Sequence, residues 1–324
     1  MVKWNRGTNP VRSDFIQPEV FPMKLRFDVP NRSQPDPFIF EDGGRYYLYV
    51  TAGPGVEAYS ASDPFGVWHY EGVIASIENG NAYWAPCIIK TAGKYWLYFS
   101  CDEPGTFEYL HVMSADSPLG PFGDPVRLFE YFSIDAHVVE TEAGLFLWYA
   151  MDNREAENGR IGTRVYVDRL LDPVTPERKP VEQIIPTMDE EIFQRNRFGD
   201  GRDWHTIEGP FWFREGEWQY VMYSGACFQN DTYHIGYAAA KSSEPDPTKV
   251  KFVKHTKDGA FDPVMIRNEV EEGVGHHSVI KLNGQYYAVY HGRDLTPDPN
   301  DPGDRRTARI CPLTVKDGVI TAER

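Results

Sequence analysis

Three acidic residues, Asp36, Asp135 and Glu208, are the strongest candidates for chemistry in this sequence. Asp135 follows the apolar segment Phe132-Ser-Ile134, and Glu208 lies in Thr206-Ile-Glu-Gly-Pro210, so both carboxylates interrupt patterns that predict buried strands. A buried carboxylate is unfavourable unless it is paired or has a chemical role. Carboxylates that share one site separate each other's pKa values, so one can act as a base while another is held protonated as an acid. Glycoside hydrolysis requires this pair of roles.

Each of the three acids begins one copy of a short repeat that occurs five times. A copy starts with an acidic residue, a tryptophan or a histidine, and its closing tyrosine follows 13 to 15 positions later, after an apolar run and a Gly-centred turn. The five first residues are Asp36, Trp84, Asp135, Glu208 and His276. A repeat of about 40–70 residues built from short strands predicts a β-propeller, whose innermost strands begin near the central axis. We therefore expect these five side chains to converge there.

The spacing of the repeat also predicts how the chain is organised. Five blades of about 60 residues would use nearly all of the 324 residues, which predicts one domain. We predict an all-β, five-bladed propeller over residues 34–324, preceded by an irregular, Pro-rich segment over residues 1–33 that packs across it. Two insertions, residues 174–206 and 293–306, interrupt the repeat, and long loops in a compact fold are commonly functional. We expect both insertions to line the pocket.

The composition restricts the partners. A net charge of −15 repels nucleic acid and anionic lipid, whereas a neutral carbohydrate is compatible with it. The N-terminus has no apolar region of the signal-peptide type, and no apolar run is long enough to span a bilayer. The four cysteines have neither metal-site nor disulfide spacing. These features predict a cytoplasmic protein that binds neither nucleic acid nor membrane, and they are compatible with a small oligosaccharide as substrate. No cofactor is expected to be required, and the oligomeric state is not predicted.

Five motifs together resemble glycoside hydrolase family 43. They are Gln34-Pro-Asp-Pro-Phe-Ile39, Trp84-Ala-Pro86, Ile134-Asp-Ala136, Glu208-Gly-Pro210 and Gly275-His-His-Ser-Val279. Each motif is weak alone, but their order and spacing are specific. The resemblance extends over most of the chain. It implies an inverting glycosidase on a five-bladed propeller.

The resemblance assigns a role to each acid. It implies that Asp36 is the general base, that Glu208 is the general acid, and that Asp135 orients the acid and modulates its pKa. The two working carboxyl groups of an inverting enzyme are expected about 6.5–9.5 Å apart, which leaves room for a water molecule. Burial and the nearby Asp135 are expected to keep Glu208 largely protonated near neutral pH.

Four further residues are candidates for binding. Trp84 is expected to stack on a sugar ring, although a core aromatic residue is the alternative. His291 and Arg306 are expected to contact substrate hydroxyls or the acid, with an ordinary surface charge as the alternative for Arg306. In the family, a histidine in the position of His276 often holds a calcium ion through water, so a structural calcium on the axis is a possibility; a simple structural histidine is the alternative. His277 could instead be the axial residue.

The expected activity is the exo removal of terminal pentose residues from short plant-derived oligosaccharides. Xylosidases of the family commonly carry a C-terminal sandwich domain that closes the pocket, and we expect none here. An α-L-arabinofuranosidase is therefore favoured over a β-D-xylosidase. Two other classes stay open. One is a non-catalytic sugar-binding propeller with inert acids. The other is a retaining fructosidase of a related clan, whose Asn-Asp-Pro-Asn-Gly and Arg-Asp-Pro motifs are not matched by Gln34-Pro-Asp-Pro-Phe38 and Arg293-Asp-Leu295.

Overall fold

The computed structural model describes residues 22–156, 158–296 and 305–324, and it confirms the predicted all-β fold. Two 3₁₀ turns, Asp189–Glu191 and Pro247–Lys249, are the helical elements of this part of the chain. None of its helices is long and apolar enough to cross a membrane. The predicted N-terminal segment is described only from residue 22 onward, where it forms the short strands β1 (Met23–Lys24) and β2 (Arg26–Phe27).

The next eight strands form two antiparallel meanders. The first meander contains β3 (Phe38–Asp42), β4 (Arg45–Val50), β5 (Val56–Ala61) and β6 (Val67–Ala75). The second contains β7 (Asn81–Thr91), β8 (Lys94–Asp102), β9 (Glu108–Ala115) and β10 (Val126–Arg127). Strand β2 pairs in parallel with β6, so the N-terminal segment extends the edge of the first meander.

The third and fourth meanders are joined into one sheet. The third contains β11 (Ile134–Thr141), β12 (Gly144–Asn153) and β13 (Gly162–Asp172), with β14 (Thr175–Pro176) and β15 (Val181–Ile184) both paired to β13. The fourth contains β17 (Trp204–Glu215), β18 (Trp218–Gly225), β19 (His234–Lys241) and β20 (Val253–Lys254), with β16 (Ile192–Gln194) paired to β17. A short parallel pairing of β13 with β17 joins them. A Cβ at Gly162 would lie 1.8 Å from the carbonyl oxygen of His205, so this joint requires glycine.

The last meander contains strands from both ends of the chain. Its C-terminal strands are β21 (Glu271–Leu282), β22 (Gln285–Asp294), β23 (Thr307–Lys316) and β24 (Val319–Ala322). Strand β1 pairs with β23, where Met23 lies opposite Ile310 and Lys24 opposite Arg309. This pairing ties the described N-terminal segment to the C-terminal sheet.

The first two strands of every meander share one register. In each hairpin a residue near the start of the first strand lies opposite a residue 11 positions later on the second. The five pairs are Phe38–Tyr49, Cys87–Tyr98, His137–Trp148, Phe211–Met222 and Ser278–Val289. The sequence repeat therefore corresponds to a structural repeat.

The hydrophobic core lies between the meanders, and its clusters connect them in cyclic order. Tyr49 and Leu97 belong to a cluster shared by the first and second meanders, and further clusters join the second to the third, the third to the fourth and the fourth to the fifth. A fifth cluster contains Leu48, Trp68 and Val289, so it joins the last meander to the first. Residues at the starts of all five first strands line one small cavity.

Candidate active site

The five repeat copies share an unusual backbone conformation at the start of the first strand. In each, one residue has a positive φ angle: Asp36 (53°), Ala85 (45°), Asp135 (61°), Gly209 (58°) and His276 (42°). This left-handed conformation is unfavourable for most residues, and glycine and aspartate tolerate it best. The β-ladder is interrupted at this point in β7, β11, β17 and β21, so the chain bulges there.

The shared conformation corrects the sequence alignment of two copies. The repeat predicts that Trp84 and Glu208 are equivalent to Asp36. In the structure Ala85 and Gly209 have the equivalent backbone, and Trp84 and Glu208 precede it by one residue. The sequence placed both residues one position off because it aligned them by side-chain polarity, whereas the repeat is defined by backbone conformation.

Hydrogen bonds connect successive meanders at these bulges. In three meanders, the backbone N–H of the left-handed residue donates to a side chain of the preceding meander. That side chain lies 15 positions after the preceding meander's own left-handed residue. These bonds run from Ala85 N to Thr51 Oγ1 (2.8 Å), from His276 N to Ser224 Oγ (2.8 Å) and from Asp36 N to His291 Nδ1 (3.1 Å). Ala150 has no polar side chain at this position, and the N–H of Gly209 donates instead to Oδ2 of Asp135 at 2.9 Å.

One pocket of about 580 Å³ contains all three predicted acids. Asp36, Asp135 and Glu208 line it together with the predicted binding residues Trp84 and Arg306. The volume lies in the range of about 300–1,000 Å³ that is typical of small-molecule sites. The predicted convergence of the three carboxylates is therefore confirmed.

Asp36 has several partners that favour its ionised form. Thr51 donates a hydrogen bond to Oδ2 at 2.5 Å, while Nδ1 of His291 and Nη1 of Arg306 lie 3.2 and 3.6 Å from Oδ1. Burial opposes ionisation, but the nearby His276 and His291 rings and the charge of Arg306 together hold the pKa of Asp36 well below its usual value. Asp36 is therefore a carboxylate at neutral pH.

Glu208 has the opposite protonation behaviour. Burial raises the pKa of Glu208 to about 7, and the negative charge of Asp36 adds to this effect. A hydrogen bond that Tyr233 donates to Oε1 at 2.7 Å and the charge of Arg306 oppose the shift without cancelling it. Glu208 can therefore hold a proton near neutral pH.

Asp135 is the most enclosed of the three acids. Burial raises its pKa, and the nearby charges of Glu208 and Asp36 raise it further, while the N–H of Gly209 opposes them. Because Gly209 follows Glu208 directly, the hydrogen bond from Gly209 to Asp135 fixes the backbone that carries Glu208.

The predicted binding residues have different outcomes. Trp84 and Arg306 are partly exposed in the pocket, so both are available to a ligand. His291 has no solvent-exposed surface, and its ring stacks on Tyr233 at 5.8 Å. In the structure the ring lies beside Asp36, with Nδ1 3.2 Å from Oδ1, so His291 contacts an acid of the site, and its contact with substrate stays a prediction.

His276 lies in the pocket between two of the acids. Its Nδ1 is 3.5 Å from Oδ1 of Asp36 and 3.9 Å from Oδ2 of Asp135. His277 does not line this pocket but a small second cavity, which Asp36, Asp135 and His276 line as well, and neither of its ring nitrogens has a hydrogen-bond partner among the described residues. Within the same residues, no group of three or more His, Cys, Asp or Glu side chains could hold a metal ion. An ion at His276 would thus be coordinated mainly by water, and calcium stays a prediction.

An aromatic rim surrounds the carboxylates, and the sequence did not identify its members. The rim residues that line the pocket are Phe107, Phe132, Phe193, Phe198, Trp204 and Phe228. Three of them belong to the insertion 174–206, which confirms the prediction that this insertion lines the pocket. The second insertion, 293–306, contributes Arg306, and its residues 297–304 lie outside the described residues. Tyr233 was also missed, because no motif distinguishes it from the other tyrosines of the chain.

An all-β repeat with three acids in one pocket, one ionised and another able to hold a proton, is the arrangement of a glycoside hydrolase. The chain belongs to glycosyl hydrolases family 43, whose model matches residues 28–320. This match confirms the resemblance that the five motifs indicate.

Individual proteins of known name support the assignment. The chain is 24% identical over 281 residues to the Cellvibrio japonicus protein named extracellular exo-α-(1→5)-L-arabinofuranosidase ArbA, covering 79% of this chain and 78% of the relative. It is 22% identical over 340 residues to a Bacteroides ovatus xylosidase/arabinosidase, covering 92% of this chain and 97% of the relative. It is also similar to the crystal structure of a thermostable family-43 glycoside hydrolase, with a TM-score of 0.73 and 27% identity over 90% of this chain and 93% of that chain.

Proposed function

We propose that this protein is an inverting, exo-acting α-L-arabinofuranosidase that removes terminal arabinofuranose from short oligosaccharides. One observation carries the proposal: Asp36, which is held ionised, and Glu208, whose pKa is raised to about 7, face the same pocket. These are the protonation states that a general base and a general acid need before the reaction begins.

The proposed mechanism assigns one step to each acid. Glu208 donates its proton to the departing glycosidic oxygen, and Asp36 accepts a proton from a water molecule that attacks the anomeric carbon from the opposite face of the sugar. Asp135 positions Glu208 through the N–H of Gly209. Trp84 supplies an apolar surface for the sugar ring, and Arg306 lies close enough to Asp36 to contact hydroxyl groups bound there.

The proposal includes the architecture. We infer that the five meanders are the five blades of one propeller, with Asp36, Asp135 and Glu208 around its axis. The common register of the first hairpins supports this inference, as does the cluster that joins the last meander to the first. A crystal structure with a different number of repeated sheets around the pocket would refute it.

A panel of 4-nitrophenyl glycosides tests the activity. We expect release of 4-nitrophenol from the α-L-arabinofuranoside at a higher kcat/KM than from the β-D-xyloside, and loss of release in the Asp36→Asn variant, which lacks the proposed base. The relative named xylosidase/arabinosidase makes the β-D-xyloside the second candidate. A higher kcat/KM for the xyloside would replace the first proposal by the second.

Two further measurements separate the remaining classes. Proton NMR of the sugar anomer formed first decides between inversion and retention, since a retaining enzyme releases the configuration of the substrate. Calorimetry decides between an enzyme and a sugar-binding module: tight sugar binding without turnover on any substrate would support the binding module. Turnover with inversion is the result that we expect.

The location and the metal also stay proposals. We propose a cytoplasmic protein, whereas one relative is named extracellular, and cell fractionation with an antibody against the chain decides between them. We propose a hydrated calcium ion at His276, which elemental analysis of the purified protein and of a His276→Ala variant tests. Equal calcium content in both proteins would exclude this site.

A further inference from the structure

Arg197 stands apart from the other arginines at the pocket rim. It lines the pocket, and three aromatic rings surround its guanidinium, with ring centres 4.9 Å (Phe193), 5.8 Å (Phe198) and 5.4 Å (Trp204) from Cζ. Contacts of this kind cover the faces of the guanidinium but leave its in-plane N–H groups available. Within the described part of the chain, no hydrogen bond or ion pair is formed by Arg197.

Neighbouring arginines already have carboxylate partners. Arg195 contacts Asp203 at 2.9 Å, Arg202 contacts Asp200 at 2.6 Å and Arg154 contacts Asp152 at 3.1 Å. Of the described arginines that line the pocket, Arg154 lies beside Asp152 and Arg306 beside Asp36, whereas Arg197 has no carboxylate partner among the described residues.

The position of Arg197 relative to the acid indicates which part of a substrate it meets. Trp204, one of its three aromatic neighbours, lies on the same strand as Glu208, four residues earlier. Strand β16, which ends three residues before Arg197, pairs with β17, the strand that carries Glu208, and Arg197 and Glu208 line the same pocket. The general acid protonates the leaving group, so the surface around Arg197 lies on the leaving-group side if the proposed function is right.

We propose that Arg197 binds a carboxylate in the leaving group, and that the preferred substrate is an oligosaccharide with a uronic acid next to or near the cleaved pentose. This proposal rests on the proposed function and adds a substrate class to it. A guanidinium matches a carboxylate with two parallel hydrogen bonds, and its weak hydration favours such contacts at aromatic surfaces. The net charge of −15 repels acidic molecules at long range. A single arginine in the pocket would therefore favour only those acidic substrates whose carboxylate lies at the position of Arg197.

Two oligosaccharides of equal length, one neutral and one with a uronic acid in the leaving group, test the proposal. We expect the wild-type protein to have the higher kcat/KM for the acidic substrate, and we expect sodium chloride to reduce this preference. Because charge-assisted hydrogen bonds are strong, Arg197→Gln should reduce kcat/KM for the acidic substrate at least about tenfold more than for the neutral one. Arg197→Lys keeps the positive charge but loses the two parallel N–H groups of the guanidinium. Its preference for the acidic substrate should therefore lie between those of Arg197→Gln and the wild type.

Lys316→Gln is the matched control, because it removes one exposed positive charge outside the pocket. It should leave kcat/KM for both substrates unchanged. An equal loss for both substrates in Arg197→Gln, or no wild-type preference for the acidic one, would overturn the proposal. Calorimetric binding of both oligosaccharides to Glu208→Gln, with and without Arg197→Gln, gives the same comparison without turnover. Failure of the proposed function would instead leave every pentoside uncleaved while this binding difference persists.

Discussion

Asp36 and Glu208 share one pocket, yet their surroundings give them opposite protonation states. Asp36 has a hydroxyl group, two histidine rings and an arginine around its carboxylate. Glu208 has one tyrosine hydroxyl in hydrogen-bond contact and a more distant arginine.

Burial raises the pKa of both groups, so burial alone cannot separate them. The polar and cationic partners of Asp36 outweigh the desolvation of its charge, whereas those of Glu208 do not. In this pocket the different pKa values of Asp36 and Glu208 are therefore set by the side chains around each carboxylate, and not by the type of acid or its depth.

The largest expected effect comes from removing the base. Asp36→Asn cannot accept the proton of the attacking water, so kcat should fall by about 10²–10⁴ for every pentoside that the wild type cleaves. The loss should not depend on the leaving group, because the base acts on the water. Asp116→Asn, an exposed acid outside the pocket, is the control and should retain wild-type kcat. A loss in Asp36→Asn that vanishes with an activated leaving group would contradict its assignment as base.

Removing the acid should give a loss that depends on the leaving group. Glu208→Gln should reduce kcat by about 10²–10⁴ for an oligosaccharide, whose departing oxygen needs a proton. For a 2,4-dinitrophenyl glycoside the loss should be much smaller, because that leaving group departs as a stable anion. Parallel kinetics on the two substrates check this difference. Equal losses on both substrates would show that Glu208 does not act as the acid.

Tyr233→Phe tests the acid side by its pH dependence. The Tyr233 hydroxyl donates to the Glu208 carboxylate and so lowers the pKa of Glu208; its removal should raise that pKa. Because the acid works only when protonated, the alkaline limb of kcat/KM should move to higher pH. Tyr49→Phe is the control, since its hydroxyl donates to the carbonyl of Pro118 outside the pocket. A shift of the limb to lower pH would contradict the assigned cause.

Arg306→Gln should change the pKa of both Asp36 and Glu208. Of the four variants, it should have the smallest effect on activity at the pH optimum. The positive charge lowers the pKa of Asp36 and also that of Glu208, so its loss should raise both. The acidic and alkaline limbs of kcat/KM should therefore both move to higher pH, with the alkaline limb moving less than in Tyr233→Phe. Movement of the two limbs in opposite directions would show that Arg306 acts by another route.

The sequence was sufficient to find the three acids because each begins a copy of the repeat, and Asp135 and Glu208 also interrupt apolar strand patterns. It misplaced the equivalence of Trp84 and Glu208 by one residue, since only the φ angles identify Ala85 and Gly209 as the counterparts of Asp36. A left-handed alanine has no recognisable signature in a single sequence.

The partners of the acids were harder to predict than the acids. Tyr233 precedes the third strand of its meander, 25 positions after Glu208, and His291 reaches Asp36 across 255 positions. The Tyr233 contact depends on a loop within the fourth meander, and the His291 contact depends on how the last meander packs against the first; no local pattern encodes either. His291 was therefore predicted to contact substrate hydroxyls or the acid, whereas in the structure it lies beside Asp36, the proposed base.

The most direct test of the account is the titration of Glu208 and Asp36 by ¹³C NMR of labelled carboxyl groups. The Glu208→Gln and Asp36→Asn variants assign the two carboxyl resonances. Their chemical shifts are then measured from acidic to mildly alkaline pH. We predict that Glu208 titrates near pH 7. Asp36 should stay ionised at pH values below the usual pKa of aspartate. An ordinary pKa for Glu208, about 4.3, together with a raised pKa for Asp36 would contradict the assignment of acid and base.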